Sequence, residues 1–403
     1  MAELSVSTRI WRVFLPFSAG YLLSYLYRTV NTVTGPLFAG ELGLDTVALG
    51  NLTAAYFATF AAIQIPLGLA LDRYGPRRCE ATLLVIAAGG AAVFALAPDG
   101  GWLTIGRALI GAGVAACLMA AFKANVETWP AGRLPLANGL LLAFGGLGAA
   151  LGTVPAQVLA DWVGWRGVFW VLAAVTLLVG CWQWLAVPER ARGPAQPLRA
   201  EMAVLRQILT SRSFWAVAPV TAATHGCLLA YQSLWAGPWL VDVAGLTRGD
   251  AAVVLFWMSI AIIPGYALGG MATDALIRRG VSIERLFPLA CIVFSAVHLP
   301  LILGWTGAVT LLWFAYVFLG VQTILGYPLL TQRFPASAAG RVNTALNMVV
   351  FGTGFAVQSL AGVGLQAAPD RVAGHAVVLT VLVTLQLATL IAFFVLNRRG
   401  QRD

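Results

Sequence analysis

The chain has 403 residues, 60% hydrophobic and only 10% charged, where soluble domains carry about a quarter charged residues. That balance excludes a soluble core and describes a polytopic membrane protein with no sizeable soluble domain. The formal net charge of +9 invites a nucleic-acid partner, but the basic residues sit at the ends of apolar segments, which excludes nucleic acid and reports topology instead.

Twelve apolar segments of bilayer length succeed one another: 11–38, 46–71, 78–97, 102–127, 134–158 and 166–187, then 213–238, 249–272, 285–304, 307–330, 341–364 and 374–396. Each crosses as a helix, since backbone in lipid must satisfy its own hydrogen bonds. The start, MAELSVSTRIWR, is polar and runs straight into the first segment, so no cleavable signal is expected.

The first segment carries Arg28 about 16 residues past Arg12, or ~24 Å along a helix. An arginine at that depth faces a cavity or a partner; the alternative is one tied to helix-end carbonyls near the outer interface. Tyr21, Tyr25 and Arg28 share a face at i, i+4 and i+7, with Tyr27 and Asn31 as a neighbouring pair.

Between the second and third segments runs Gly68 to Arg78, GLALDRYGPRR, in which Gly75-Pro76 forces a tight turn. The pattern returns as Gly270-Met271-Ala272-Thr273-Asp274 followed by Arg278-Arg279-Gly280. Asp72 and Asp274 lie 202 positions apart, half the chain, which implies duplicated halves.

In the fourth segment Arg107 lies near the outer end, suited to a structural or gating role. Lys123, the only lysine, lies a turn from the inner end. Either it snorkels and pairs with Glu127 four residues on, or it adds positive charge at the inner mouth of a cavity. The fifth segment (Gly139, Gly145, Gly146, Gly148, Gly152) and the eleventh (Gly352, Gly354) are lined with small residues that allow close helix approach. Residues 188–212 form the one long polar stretch, where Met202, Leu205, Ile208 and Leu209 recur at helical spacing, as in an amphipathic helix on the membrane surface.

In the seventh segment His225, Gln232 and Trp235 share a face, flanked by Tyr231. His225 is either a satisfied buried histidine or a group that binds an anion or takes a proton. Gln322 and Tyr327 in the tenth segment, and Asn343, Asn347 and Gln358 in the eleventh, add polar groups. This segmentation puts no Asp or Glu in the middle third of any helix, leaving His225 as the titratable candidate. The five cysteines (Cys79, Cys117, Cys181, Cys227, Cys291) lie in or beside apolar segments and read as packing residues.

Of 24 arginines, 19 fall at ends on the side of the N-terminus and three (Arg166, Arg248, Arg371) on the other. This positive-inside bias makes both termini cytoplasmic.

The twice-present GxxxD…RR turn resembles the loop motif between the second and third, and eighth and ninth, helices of the major facilitator superfamily of transporters. Arg107 with Gly111 is similar to that superfamily's fourth-helix motif. Tyr27-Arg28-x-x-Asn31 looks like the first-helix motif of its organic-anion and organophosphate transporters, whose arginine binds the substrate's anionic group. The resemblance implies that helices 5 and 11 rock against partners from the opposite half. There are departures. Tyr27 stands where proton-coupled relatives have an aspartate, the seventh helix lacks a second arginine, and helices 2 and 8 lack the arginines of nitrate porters. Gly152-Thr153-Val154-Pro155 interrupts the Gly-Pro dipeptide of drug exporters.

The expectation is an all-α fold of twelve helices in two six-helix pseudo-repeat halves, 1–187 and 213–403, joined by the cytoplasmic linker 188–212. The function expected is secondary transport of a small organic anion, a carboxylate or phosphorylated metabolite, across the bacterial cytoplasmic membrane by alternating access. No enzymatic activity, cofactor or resident metal is expected; the partners are a small-molecule substrate and the lipid bilayer, and a monomer is expected. Expected substrate contacts are Arg28, Tyr25, Tyr21, Asn31, Lys123, His225, Tyr231, Gln232 and Gln322. Expected gating residues are Asp72, Arg73, Arg77, Arg107, Asp274 and Arg278. The alternatives are a hydrophobic drug exporter and a metal importer using His225-Gly226-Cys227 with Met119 or Met258.

Overall fold

The structure, a computed structural model, describes residues 5–130, 133–189, 198–335 and 338–400. The linker arginines Arg190 and Arg192, and Arg402, lie outside them. Two glycines with positive φ divide helices that otherwise run on. Gly75 (φ 76°) splits Thr46–Leu96, and Gly164 (φ 70°) splits Val154–Ala186. At such φ only glycine avoids a Cβ clash, so the Gly75-Pro76 turn forms where the sequence places it.

With those divisions the described residues hold twelve spanning helices: α1 (6–42), α2 (46–74), α3 (76–96), α4 (Gly100–Thr128), α5 (134–163), α6 (165–186), α7 (Arg212–Asp242), α8 (Arg248–Arg278), α9 (Ile283–Ile302), α10 (Val309–Thr331), α11 (Ala339–Ala367) and α12 (Arg371–Asn397). The outer faces are apolar and exposed, as at Leu178, Leu185, Leu360 and Ile391, the pattern of a bundle solvated by lipid tails. Among the described residues no disulfide joins the five cysteines. A linker helix, Leu198–Thr210, buries Leu205 and Ile208, packs against α7 and α11, and exposes Met202. Its apolar face therefore covers the bundle itself, and Glu201 pairs with Arg341 of α11 at 3.8 Å.

One end of the bundle, the basic end, carries Arg73, Arg77, Arg78, Arg278, Arg333 and Arg341. At the opposite, far end the two sets of six helices meet backbone to backbone. A Cβ on Gly50 of α2 would lie 2.8 Å from the Gln358 carbonyl of α11, and one on Gly362 of α11 would lie 2.8 Å from the Thr46 carbonyl. The fifth-segment glycines do something else. Gly145, Gly148 and Gly152 seat Tyr21, the Leu22 carbonyl and Thr29 of α1, and only Gly146 of this group faces Ile262 and Ile263 of α8. The expectation that these glycines form a packing surface between halves is corrected for Gly145, Gly148 and Gly152, which pack on α1, while Gly146 and other residues of α5 do meet α8.

Candidate functional site

A cavity of about 260 Å³ lies at mid-depth between the two sets of helices and extends toward the basic end. Its first wall comes from α1, α2, α4 and α5 and includes Tyr21, Tyr25, Arg28, Phe60, Met119 and Phe122; its second comes from α7, α8, α10 and α11 and includes His225, Tyr266, Tyr327, Asn343, Asn347 and Phe351. A larger cavity of about 540 Å³ lies at the far end, where Arg248 and Arg371 are balanced by Asp161 and Asp242. Both cavities are lined from both sets of helices; the central one is the better candidate because it holds an uncompensated charge at mid-depth.

That charge is Arg28, the one arginine or lysine lining the cavity and 4% exposed. Helical spacing places it beside Tyr25, with its guanidinium carbon 4.4 Å from the ring centroid. Phe351 and Phe60 lie 5.2 and 5.7 Å away and stack on each other at 3.9 Å across the interface. Among the described residues no acid lies within ion-pair distance of Arg28, and its Nε has no partner. Cation–π contacts contribute about 0.5–2 kcal/mol each, less than a bidentate carboxylate or phosphate supplies.

The second wall is neutral. His225 Nδ1 lies 3.2 Å from the Thr323 hydroxyl. The Tyr327 hydroxyl donates to Asn347 Oδ1, and Asn347 Nδ2 donates to Gln64 Oε1 of α2 at 3.5 Å. Thr331 donates to Asn343 Oδ1 at 2.9 Å. These are hydrogen-bonding groups with little charge.

Several residues read as substrate contacts lie elsewhere. A π-helical turn over Tyr231–Trp235 adds a residue to that turn and breaks the register that would align Gln232 with His225. Tyr231 stacks on Trp313 at 6.2 Å, and neither Tyr231 nor Gln232 lines the cavity. Gln322 donates to the carbonyls of Gly265 (2.7 Å) and Phe318 (3.0 Å), tying α10 to α8. Asn31 is fully buried outside the cavity lining, with both side-chain polar atoms unpartnered. Lys123 pairs with Asp72 at 2.5 Å and donates to the Leu71 carbonyl at 2.9 Å. Its partner is therefore the end of α2, which an ammonium caps favourably, and not Glu127.

The gating candidates divide between the two copies of the turn. Arg77 donates to the Trp184 carbonyl, and Arg77 and Arg78 reach Glu189 at 3.9 and 2.6 Å, fastening the first turn to the end of α6. Arg73 lies over the Tyr74 ring at 5.6 Å. In the second turn Asp274 and Arg278 are exposed, and no ion pair joins them to another described residue. Arg107 is fully buried, donates to the Tyr27 carbonyl at 2.7 Å and lies over Tyr56 at 4.7 Å.

Two clasps at the far end each tie the first and last helix of one set together. Glu41 of α1 accepts from Trp165 Nε1 at 2.6 Å and pairs with Arg166 of α6. Just past the spanning segment, its carboxyl is held below the usual carboxylate range, first by the Trp165 hydrogen bond and then by Arg166. In the second set Asp242 of α7 meets His375 of α12 at 3.3 Å. Sequence reasoning passed over both pairs, whose signal was an acid closing the first helix with a base opening the sixth, and an acid closing the seventh with a histidine near the start of the twelfth.

It also passed over Glu80 of α3, which has no exposed surface. Gln183 Nε2 of α6 donates to its Oε1 at 2.8 Å.

The profile of the Major Facilitator Superfamily matches residues 17–359, and the chain belongs to that superfamily. It is a multi-pass membrane transporter and not an enzyme. The chain is 25% identical to a probable sulfoacetate transporter of Cupriavidus necator, over 82% of this chain and 84% of the relative. It is 24% identical to a hexuronate transporter of Escherichia coli over 64% of each. It is 30% identical to a chloramphenicol resistance protein of Streptomyces lividans over 57% of this chain and 56% of the relative. Among solved structures, a bacterial homologue of the human lysosomal transporter Spinster, inward-facing and occupied, matches with a TM-score of 0.78 at 19% identity over 98% of both chains. At that identity the likeness is one of fold.

Proposed function

We propose that this chain moves a small organic anion across the bacterial cytoplasmic membrane by secondary transport, with the anionic group held by Arg28. The observation that carries this reading is a buried guanidinium facing a cavity with no acid in reach among the described residues. Isolated charges at such depth are expensive and are kept for a partner. A carboxylate, sulfonate or phosphate fits the planar fork of donors, and the amides of the second wall suit further oxygen atoms on the same molecule. The names of two relatives, a probable sulfoacetate and a hexuronate transporter, support this class.

The halves 1–187 and 213–403, joined by 188–212, are the moving bodies, with the basic end and both termini cytoplasmic. In this reading the conformation is one open toward the cytoplasm, which the close far-end contacts at Gly50 and Gly362 support, and alternating access rocks the halves about the cavity. Lys123, Asp72, Arg77 and Arg107 act on the conformational equilibrium and not on the substrate.

A drug exporter is the second reading, favoured by the aromatic walls and the chloramphenicol resistance relative. Thermal-shift measurements on purified protein with sulfoacetate, galacturonate and chloramphenicol separate the two. Stabilisation by an anion that disappears in Arg28→Gln supports the first reading. Stabilisation by chloramphenicol alone, unchanged in that variant, replaces it with the second.

A further inference from the structure

At the basic end each set of six helices has a corner where its first and third helices begin and its fourth and sixth end. In the first set that corner is filled from within. Only about 30 Å³ remains there, and Arg77 and Arg78 of α3 are met by Glu189, just past α6, at 3.9 and 2.6 Å. In the second set the matching corner, between α7, α9, α10 and α12, holds a groove of about 510 Å³. Its charged lining is Arg212, Arg285 and Arg333 against Glu284 alone. Glu284 is exposed and reaches Arg333 at 3.5 Å, a pair that water screens. Where Glu189 closes the first corner, the second has Asn397 of α12, whose neutral Oδ1 accepts from Arg333 at 2.9 Å. No ion pair joins Arg285 to another described residue.

The groove continues into surface that lipid tails cover. Arg285 heads the exposed stripe of α9, which runs on through Leu289, Ile292 and Leu299 at helical spacing. On α12, Ile391 and Phe394 make a like stripe, and Phe287 and Phe393 join the two helices with their rings 5.6 Å apart. Trp215, exposed near the start of α7, is the kind of residue that marks the headgroup level of a bilayer. Ser282 precedes α9 without making a capping hydrogen bond, so the positive end of that helix is left to an outside anion. Arginines at headgroup level with apolar stripes beyond them match a phospholipid, phosphate in the groove and acyl chains along α9 and α12. A free phosphate would match the groove alone.

We propose that this corner binds an anionic phospholipid from the leaflet at the basic end, and that its phosphate takes the place in the second set that Glu189 holds in the first. Arg285 and Arg333 present forked donors to the phosphate oxygens. The excess of positive charge selects an anionic headgroup over a zwitterionic one. The site is independent of which molecule the protein transports.

Native mass spectrometry of the full chain in detergent, with added phosphatidylglycerol or phosphatidylcholine of the same acyl chains, tests the site. The wild type should retain phosphatidylglycerol over phosphatidylcholine by at least about fivefold, the worth of one arginine at a membrane surface. Arg285→Gln should cut that retention by about the same factor. So should Asn397→Asp, which sets a carboxylate on Arg333 without changing shape and removes no arginine. The far-end variant Arg248→Gln should leave retention as in the wild type. Equal retention of the two lipids overturns the proposal, as does retention unchanged in Arg285→Gln and Asn397→Asp. A loss as large in Arg248→Gln overturns it too, since binding would then follow net charge and not the groove. Displacement of the lipid by millimolar inorganic phosphate would make the groove a free-anion site and end the lipid assignment. Arg285 is exposed and outside any ion pair, so its variant should melt in lipid-free detergent at the wild-type temperature.

Discussion

The two walls of the cavity come from the two sets of helices and differ in kind. The first carries a charge, Arg28, set among Tyr21, Tyr25 and Phe60; the second offers His225, Tyr327, Asn343 and Asn347, which hydrogen-bond without fixed charge. The same contrast runs to both ends. Asp72 is paired with Lys123, while Asp274 is exposed without such a pair. Glu41 is clasped by Arg166, charged at all physiological pH, while Asp242 meets an imidazole. Under the function proposed above, the first wall would anchor an anion and the second would read the rest of the molecule.

The sharpest way to break this comparison is Arg28→Gln, which removes the charge of the first wall. Leaving a buried anion without its partner costs about 3–5 kcal/mol, so affinity should fall more than about a hundredfold, with Arg28→Lys between it and wild type. Affinity and melting temperature measured together decide the point: a folded Arg28→Gln protein with normal affinity would end the division of labour between the walls.

Gly50→Ala tests whether the walls are held together at the far end. The new methyl meets the Gln358 carbonyl at 2.8 Å and Trp235 at 3.2 Å, and overpacking of this kind costs about 1–3 kcal/mol. Cysteine labelling from the far end should rise, and labelling equal to wild type would show that this crossing does not close it. Asn347→Ala probes the neutral wall. It removes one net hydrogen bond, about 1 kcal/mol, so affinity should drop about fivefold. A drop as large as that for Arg28→Gln would make the walls equal.

Asp72→Asn should lower stability by less than about 1 kcal/mol, since its pair with Lys123 is partly exposed, yet slow transport; wild-type rates would remove the turn from the gating scheme. The smallest effect is expected from Glu41→Gln. Its folded carboxyl is held below the ordinary value of 4.5, so the clasp stabilises above that pH and fades as pH falls through the lowered value. The melting-temperature difference from wild type should therefore be present at neutral pH and vanish in acid. A constant difference would mean that the carboxylate charge is not what holds α1 to α6.

Local rules carried much of this. Segment length gave the helices, Gly75-Pro76 gave the turn, and the depth of Arg28 brought it to the cavity. Two of the misses share one cause, which is that partners came from far along the chain. Lys123 was matched to a residue four positions on, whereas its partner is 51 positions away. Glu80 was passed over, and its burial is made by Gly20 and by Gln183, which is 103 positions away. Gln232 was placed by a regular period that a π turn interrupts. Such features depend on which helices become neighbours, and periodicity within one helix does not carry that information.

The glycine crossing of α2 and α11 has a mechanical corollary. Two backbones in direct contact at one end of a lever let the other end swing. Across a hydrocarbon core of about 30 Å, a tilt of roughly 10° about Gly50 and Gly362 moves the basic ends of those helices apart by about 5 Å. That is close to the width of a small carboxylate, so a modest rotation at a side-chain-free hinge is enough to widen a passage for such a molecule.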